Sequence, residues 1–452
     1  MSPGLPFGTA ILTAALALAG CAGVPGREES SARKDMRATG ARLLTREGRP
    51  ALPVLRVDSP AEDFIRYAVL NHPAVVAAYY DWRASVEDIV PARSLPDPQF
   101  IFQADITNSV SSLMPGLMFN FLGSGKRAAM GREAASASGI ARRSYITAVL
   151  ATAAEARTAW IELVYVDEAA RLQDQSIGAI ESALELADSD YATGRGMGTL
   201  ADQVRVANDL AKARSERAAL DDRRASARAR FKSALGLRPT DSDPVWPVAT
   251  LAPTRLPDGD QLWKRACEVN PELGRMRTMI EMAVDGVEVA RKAGRPDFAV
   301  GTMVDLRTNP TLVRPLGSLN LPIWRGKIAA ILAAAEARRD ASLARFSAAE
   351  LNLAAAFAQA LYRVRESDRR MAYIDSEGLP NLDRSLATAE AASQSGAANP
   401  GMIPETQVMA LGMRLERVGA LRDREAAVVD LTLLTADVAP PGSPMPESEP
   451  QT

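Results

Sequence analysis

The stretch FLGSGKRAA, residues 121–129, looks like the end of a phosphate-cradling loop: small residues, then Gly125-Lys126, then a helical pattern. The full pattern is G-x-x-x-x-G-K-[ST]. Its first glycine falls on Asn120 and its final hydroxyl on Arg127, so two of the four fixed positions fail. The missing hydroxyl matters most, because it would hold the magnesium ion. A nucleotide site is therefore excluded, and Gly125-Lys126 needs another explanation.

That explanation comes from a second copy. GKRAA (residues 125–129) recurs as GKIAA (residues 326–330), each time after an apolar run and before an Ala-rich helical segment. Leu95-Pro96-Asp97 matches Arg295-Pro296-Asp297, and AVLNHPAVVAAYYDW (68–82) matches ACEVNPELGRMRTMI (266–280). The offset drifts only from 198 to 201 residues, which is the mark of a duplication. The glycines before Gly125 are not repeated. Gly-Lys thus marks a strand-to-helix junction, where Gly permits the turn and Lys stays at the polar level.

Between Pro-Asp and Gly-Lys each copy carries a hairpin pattern. Phe100, Phe102, Ala104 and Ile106 alternate with Gln99, Ile101, Gln103 and Asp105; Phe298, Val300, Thr302, Val304 and Leu306 alternate with Ala299, Gly301, Met303 and Asp305. The return strands repeat the theme at Leu117, Phe119 and Phe121, and at Leu319 and Leu321. Period-two alternation means a strand with two environments. A soluble sandwich would turn the apolar face to a core, and an outer-membrane barrel would turn it to lipid. The strands alone leave both readings open.

The flanking helices are very long. No proline lies between Pro115 and Pro239, and residues 125–191 read as one Ala-rich helix of roughly 100 Å at 1.5 Å per residue. Residues 194–198 break it, and a second helix follows to about residue 235. The second copy repeats this over residues 326–394 and 404–434, with a kink expected at Pro380. Helices of this length do not fit a compact globule.

Composition narrows the function. The 452 residues carry 53 Lys and Arg against 55 Asp and Glu, which argues against a nucleic-acid partner. One histidine, His72, and two cysteines, Cys21 and Cys267, leave almost no material for a metal site, a cofactor ligand set or a nucleophile pair. Cys267 is expected to be a small buried hydrophobe, and His72 to sit at a helix end. The apolar run 11–19 is too short to span a bilayer. It ends in Leu18-Ala19-Gly20-Cys21, which looks like the lipobox of bacterial lipoproteins and implies acylation of Cys21. No Lys or Arg precedes that run, unlike most signal peptides.

The duplicated hairpin-plus-helix-pair plan behind a lipobox resembles the TolC-like outer-membrane efflux protein family, over residues 61–434. Asn-Pro and His-Pro before the first helices, Pro-Asp at the strand starts, Leu319-Asn320-Leu321-Pro322-Ile323 before Gly326-Lys327, and Tyr191-Ala192-Thr193-Gly194 at the first tip carry the resemblance. The second tip, residues 391–404, departs from the pattern. The resemblance implies a mainly α protein with a β-barrel part. Each half would be a β-hairpin plus a pair of very long helices, assembled as a homotrimer with a 12-stranded outer-membrane barrel and a periplasmic α-helical barrel.

The expected divisions are a signal peptide (1–20), a lipidated extended strap (21–60) and a first repeat (61–235, strands 98–107 and 115–122). A Pro-rich linker (236–262), a second repeat (263–435, strands 297–306 and 315–323) and a disordered tail (436–452) follow. Function is then expected to be a passive exit duct for a tripartite efflux or type I secretion system. Its partners would be a periplasmic adaptor, an inner-membrane pump and outer-membrane lipid. The alternative is an elongated periplasmic lipoprotein acting as scaffold or adaptor. Neither reading needs catalysis or a cofactor.

Site expectations follow. Phe100, Phe102, Phe119, Phe298, Val300 and Leu319 face lipid, while Gln103 and Gly301 face the lumen. Gly194, Gly196, Gly198, Gly396, Pro400 and Gly401 form adaptor-docking tips. Asp188, Asp190, Asp202, Arg205, Glu390 and Glu405 are gate candidates, paired across chains.

Overall fold

In the computed structural model of the chain, the described residues are 25–44, 52–106, 110–193, 199–308, 310–394 and 402–436. Cys21, all six tip residues and the tail beyond residue 436 lie outside them.

The first repeat opens with helix α1 (Arg27–Leu43), where an extended strap was expected. Its composition is polar, and what holds it is tertiary: Met36 and Leu43 are buried against the first repeat, and Glu29 is 2% exposed. Helices α2 (Ala61–Asn71), α3 (Pro73–Glu87) and α4 (Ile89–Arg93) follow. Proline at the first position of α3 needs no N–H there, and His72 Nδ1 accepts from Ala74 N at 3.2 Å. The hairpin β1 (Gln99–Ile106) and β2 (Val110–Phe121) leads to α5 (Lys126–Thr193), 68 residues long, and α6 (Leu200–Ala234).

The second repeat runs α7 (Gly259–Val269), α8 (Pro271–Lys292), β3 (Asp297–Asp305), β4 (Leu312–Asn320) and α9 (Arg325–Tyr373). A π-helical turn at Ile374–Gly378 then leads to α10 (Leu379–Gln394) and α11 (Met402–Thr435). The expected single helix 326–394 is thus two helices. Pro380 has no N–H to give, and the wide turn before it absorbs the lost bond. Gly378 lets α11 approach, since a Cβ there would sit 2.5 Å from Met413 Sδ.

Two strands start earlier than expected. β2 begins at Val110 rather than 115, and β4 at Leu312 rather than 315. Both run through a proline. Pro115 pairs with Phe102 of β1, and the β2–β3 ladder starts one residue later at Gly116. The four strands form one antiparallel sheet in the order β1-β2-β3-β4, so β2 and β3 join the two repeats.

The core follows the helices. Phe64, Trp82, Tyr145 and Phe231 fill the first repeat, with Phe64 and Phe231 5.6 Å apart between ring centroids. Leu262, Leu273, Phe357, Val364 and Leu431 fill the second. A smaller cluster of Ile180, Val206 and Leu210 holds α5 to α6 towards the far end. Cys267 is half-buried, and its neighbour Ala266 takes the core position.

Candidate functional site

Three places along the chain carry the features that bear on function. The first is the junction read at the outset. Gly125 adopts φ +76°, where glycine is favoured. The turn docks on the Arg295-Pro296-Asp297 start of the other repeat. Asp297 Oδ1 accepts from Gly123 N at 2.7 Å and from Lys126 Nζ at 2.8 Å. Arg295 Nη1 donates to Ser124 Oγ at 2.9 Å and to Ser124 O. Both motifs shared by the repeats therefore meet here, Gly-Lys of one against Pro-Asp of the other.

The second place is the sheet. Directly paired residues of neighbouring strands point to one face. The pairs Phe100↔Leu117, Phe102↔Pro115, Phe119↔Val300, Phe121↔Phe298 and Phe298↔Leu319 put all six expected lipid-facing residues on a single face. Phe100 is 69% exposed and Leu319 59%, and Phe121 stacks on Phe298 at 5.1 Å. The opposite face is the more polar one: it carries Gln99, Gln103, Asp105, Ser112, Asn120, Asp305, Arg314 and Asn320 beside Ile101, Met114, Met118, Met303 and Leu316. Asp305 is buried there and accepts from Ser112 Oγ at 3.1 Å.

On this face the backbones of β2 and β3 approach closely at two glycines. A Cβ at Gly116 would lie 2.4 Å from Thr302 O, and one at Gly301 2.5 Å from Leu117 O. Glycine is required where the strands come so close. This corrects the use of Gly301 as a lumen probe, because no side chain fits; Gln103 on the same face is exposed. Among the described residues no helix is long and apolar enough to cross a membrane.

The third place is the far end of the helices. Arg205 Nη2 pairs with Glu405 Oε1 at 2.5 Å, joining α6 to α11 within the chain. Gln203 Nε2 donates to Asp188 Oδ1 at 2.6 Å. Glu390 is exposed, and the side chains of Asp190 and Asp202 lie outside the described residues. The structure thus brings two of the six gate candidates together.

Sequence reading missed the anchorage of α1. Glu29 accepts from Arg93 Nε at 2.6 Å and from Arg33 Nε at 3.0 Å. Burial pushes the Glu29 carboxyl up, but the bonds from Arg93 and Arg33 outweigh it and hold it below the ordinary carboxylate value. Arg93 lies 64 residues from Glu29, so no local pattern shows that pair.

Comparison with known proteins fits this geometry. Residues 262–437 match the family model described as outer membrane efflux protein. No curated protein sequence matches the chain. Among solved structures, a membrane protein from Pseudomonas aeruginosa superposes with a TM-score of 0.70 at 18% identity, over 87% of this chain and 97% of that one. The outer membrane protein VceC from Vibrio cholerae gives 0.66 at 15%, over 83% and 96%. The open-state MtrE outer membrane channel of Neisseria gonorrhoeae gives 0.69 at 14%, over 87% and 98%. The fold is that of the TolC-like outer-membrane efflux channels. The second repeat carries the sequence signature of the outer membrane efflux protein family, and the first repeat shares its architecture.

Proposed function

We propose that the chain is a passive exit duct in the outer membrane, serving a tripartite efflux or type I secretion system. The observation that carries this reading is the four-stranded sheet with one exposed apolar face and one polar face, set on helices of roughly 100 Å. A soluble sheet would cover its apolar face, and in this chain Phe100, Phe102, Val300 and Leu319 stand exposed. That favours the duct over the scaffold or adaptor reading. Four strands do not close a barrel, and three copies supply twelve, enough for an open lumen.

In this reading the apolar face meets lipid, the polar face lines the pore, and the helices continue the conduit across the periplasm. The tips around Gly194, Gly196, Gly198, Gly396, Pro400 and Gly401 dock a periplasmic adaptor, which couples the duct to an inner-membrane pump. Transport energy comes from that pump, so the duct needs no catalytic group and no cofactor. Cys21 carries lipid that adds to the barrel's own anchorage.

The test is a deletion strain complemented with the wild-type chain. A heat-modifiable trimer in purified outer membranes, with export restored, is the expected result. A monomer released from the membrane by removing its lipid would favour the scaffold instead.

A further inference from the structure

We propose that the groove where the β2–α5 junction meets α1 and α4 binds a phospholipid with a phosphoethanolamine headgroup. Its phosphate sits on Arg127, its ammonium on Glu28, and an acyl chain lies against Phe121 and Phe298. This rests on the duct reading, which sets the apolar face of the sheet in lipid.

The groove has a volume of about 530 Å³, within the roughly 300–1,000 Å³ of ligand sites. At the sheet end Phe121 and Phe298 stack at 5.1 Å and, with Leu95 and Leu122, make an apolar wall. Both rings belong to the apolar face of the sheet, so the groove opens where that face ends. Along α5 it is lined by Ala128, Gly131 and Ala135, at i, i+3 and i+7 on one side of the helix. Small residues keep that side open. A Cβ at Gly131 would already lie 3.1 Å from Arg93 Cβ.

Five charged residues line the groove: Glu28, Glu29, Arg93, Arg127 and Arg132. Three of them are committed. Glu29 accepts from Arg93 at 2.6 Å and from Arg33 at 3.0 Å, and Arg132 pairs with Asp285 at 3.5 Å. Arg127 on α5 and Glu28 on α1 remain. Neither has a charged partner among the described residues, and they do not pair with each other. A free cation and a free anion on one groove match a ligand that carries both charges. The phosphate of phosphoethanolamine takes two N–H bonds from one guanidinium. Its primary ammonium has three donors for a carboxylate. A phosphoglycerol headgroup leaves Glu28 unmatched, and a phosphocholine headgroup has no N–H to donate.

The chain's own N-terminus is the competing occupant. Gly26 lines the groove, and Cys21 is five residues before it, at most roughly 18 Å of extended chain. Acyl chains on that cysteine bring apolar surface but no phosphate, so they leave Arg127 unpaired. The free charges therefore favour a phospholipid.

The test uses full-length protein purified from outer membranes in detergent. It is mixed with equal amounts of dioleoyl phospholipids bearing phosphoethanolamine, phosphocholine or phosphoglycerol headgroups, and native mass spectrometry counts the lipid retained. The wild type should retain the phosphoethanolamine lipid severalfold more than either of the others. Arg127→Gln should lower retention of the phosphoethanolamine and phosphoglycerol lipids alike. Glu28→Gln should lower only the former and bring it level with the latter. Ala128→Trp, at an exposed position on the groove, should lower both with the oligomer intact. No headgroup preference in the wild type, or unchanged retention in Ala128→Trp, overturns the site. Retention of the phosphoethanolamine lipid by Cys21→Ser but not by the acylated wild type also overturns it, because the chain's own lipid then fills the groove. Export is measured in the same strains. A preference that follows Arg127 and Glu28, in a wild type that exports nothing, counts against the duct and leaves the site standing. Normal export with no preference does the reverse.

Discussion

The carboxamide of Asn71 donates to the main-chain oxygen of Leu235 at 2.8 Å, across 164 residues. At the same separation, Asn270 Nδ2 donates to Leu434 O at 3.0 Å. Each bond ties the start of a repeat to the end of its last helix. Around the first, Gly236 turns the chain at φ +74°, and a Cβ there would come 2.8 Å from His72 Cα. The bond therefore closes each repeat on itself. The two closures differ in one respect. Asn270 also caps α8, its Oδ1 accepting from Glu272 N and Leu273 N, whereas in the first repeat His72 does the capping.

Asn270→Ala should therefore cost more than Asn71→Ala. Loss of a cap is worth about 1 kcal/mol, and a buried carbonyl left without its donor about 1 kcal/mol more. Asn71→Ala removes only the second contribution. Thermal unfolding of the purified protein, followed by far-UV circular dichroism, should rank the variants wild type, Asn71→Ala, Asn270→Ala. The reverse order would mean that Asn270 does not hold both roles.

Glu29 should make the docking of α1 sensitive to acid. Its folded pKa lies below the ordinary 4.5, so its stabilisation is fully present above 4.5 and is lost as pH falls through the lower folded value. Limited proteolysis should show α1 protected at neutral pH and progressively released as pH falls below the ordinary 4.5. Arg93→Ala should release it at pH 7, at a cost on the order of 2 kcal/mol for a buried acceptor stripped of its charged donor. Glu29→Gln should remove the acid step. An unchanged step in Glu29→Gln would assign it to another carboxylate.

The sheet gives a test with opposite signs on its two faces. Phe119→Arg or Val300→Arg should destabilise the assembled protein by about 2–4 kcal/mol if these positions lie near the bilayer midplane. Gln103→Arg, on the exposed polar face, should leave the heat-modifiable species intact and change single-channel conductance. Gly301→Arg is not a usable lumen probe, since its Cβ alone would strike Leu117 O. Equal destabilisation by Phe119→Arg and Gln103→Arg would refute the assignment of faces.

What could be read in the sequence was whatever repeats or alternates locally. Gly-Lys, Pro-Asp and a proline preceded by Asn or Asn-His recur, so the duplication, the hairpins and the long helices were visible without coordinates. Helix α1 was not, because its stability comes from Met36, Leu43 and the Glu29–Arg93 pair, all contacts distant in sequence. The early starts of β2 and β4 were hidden by Pro115 and Pro315, each of which reads as a strand boundary when strand pairing is unknown. The break at Ile374–Gly378 was visible only as Pro380, because a proline signals a disturbance without saying whether a kink or a π-turn results. The charged residues near the tips were visible as candidates. Which of them pair depends on how α6 lies against α11, and no local pattern encodes that.

Arg205 and Glu405 provide the last prediction. They join α6 to α11 at 2.5 Å with side chains about half exposed. An exposed pair of this kind is worth about 0–1 kcal/mol. Arg205→Ala should therefore leave thermal stability almost unchanged. Its effect should appear in the pore, because the bond joins the first repeat to the second just inside the tips and restrains them from moving apart. If the resting duct is narrowed there, Arg205→Ala and Glu405→Ala should each raise single-channel conductance in planar bilayers. High salt should reduce the difference from wild type by screening the wild-type pair. Arg205→Glu combined with Glu405→Arg should return conductance towards the wild-type value. Wild-type conductance in both alanine variants, with the trimer intact, would assign the pair to a solvated surface and leave closure to the tips.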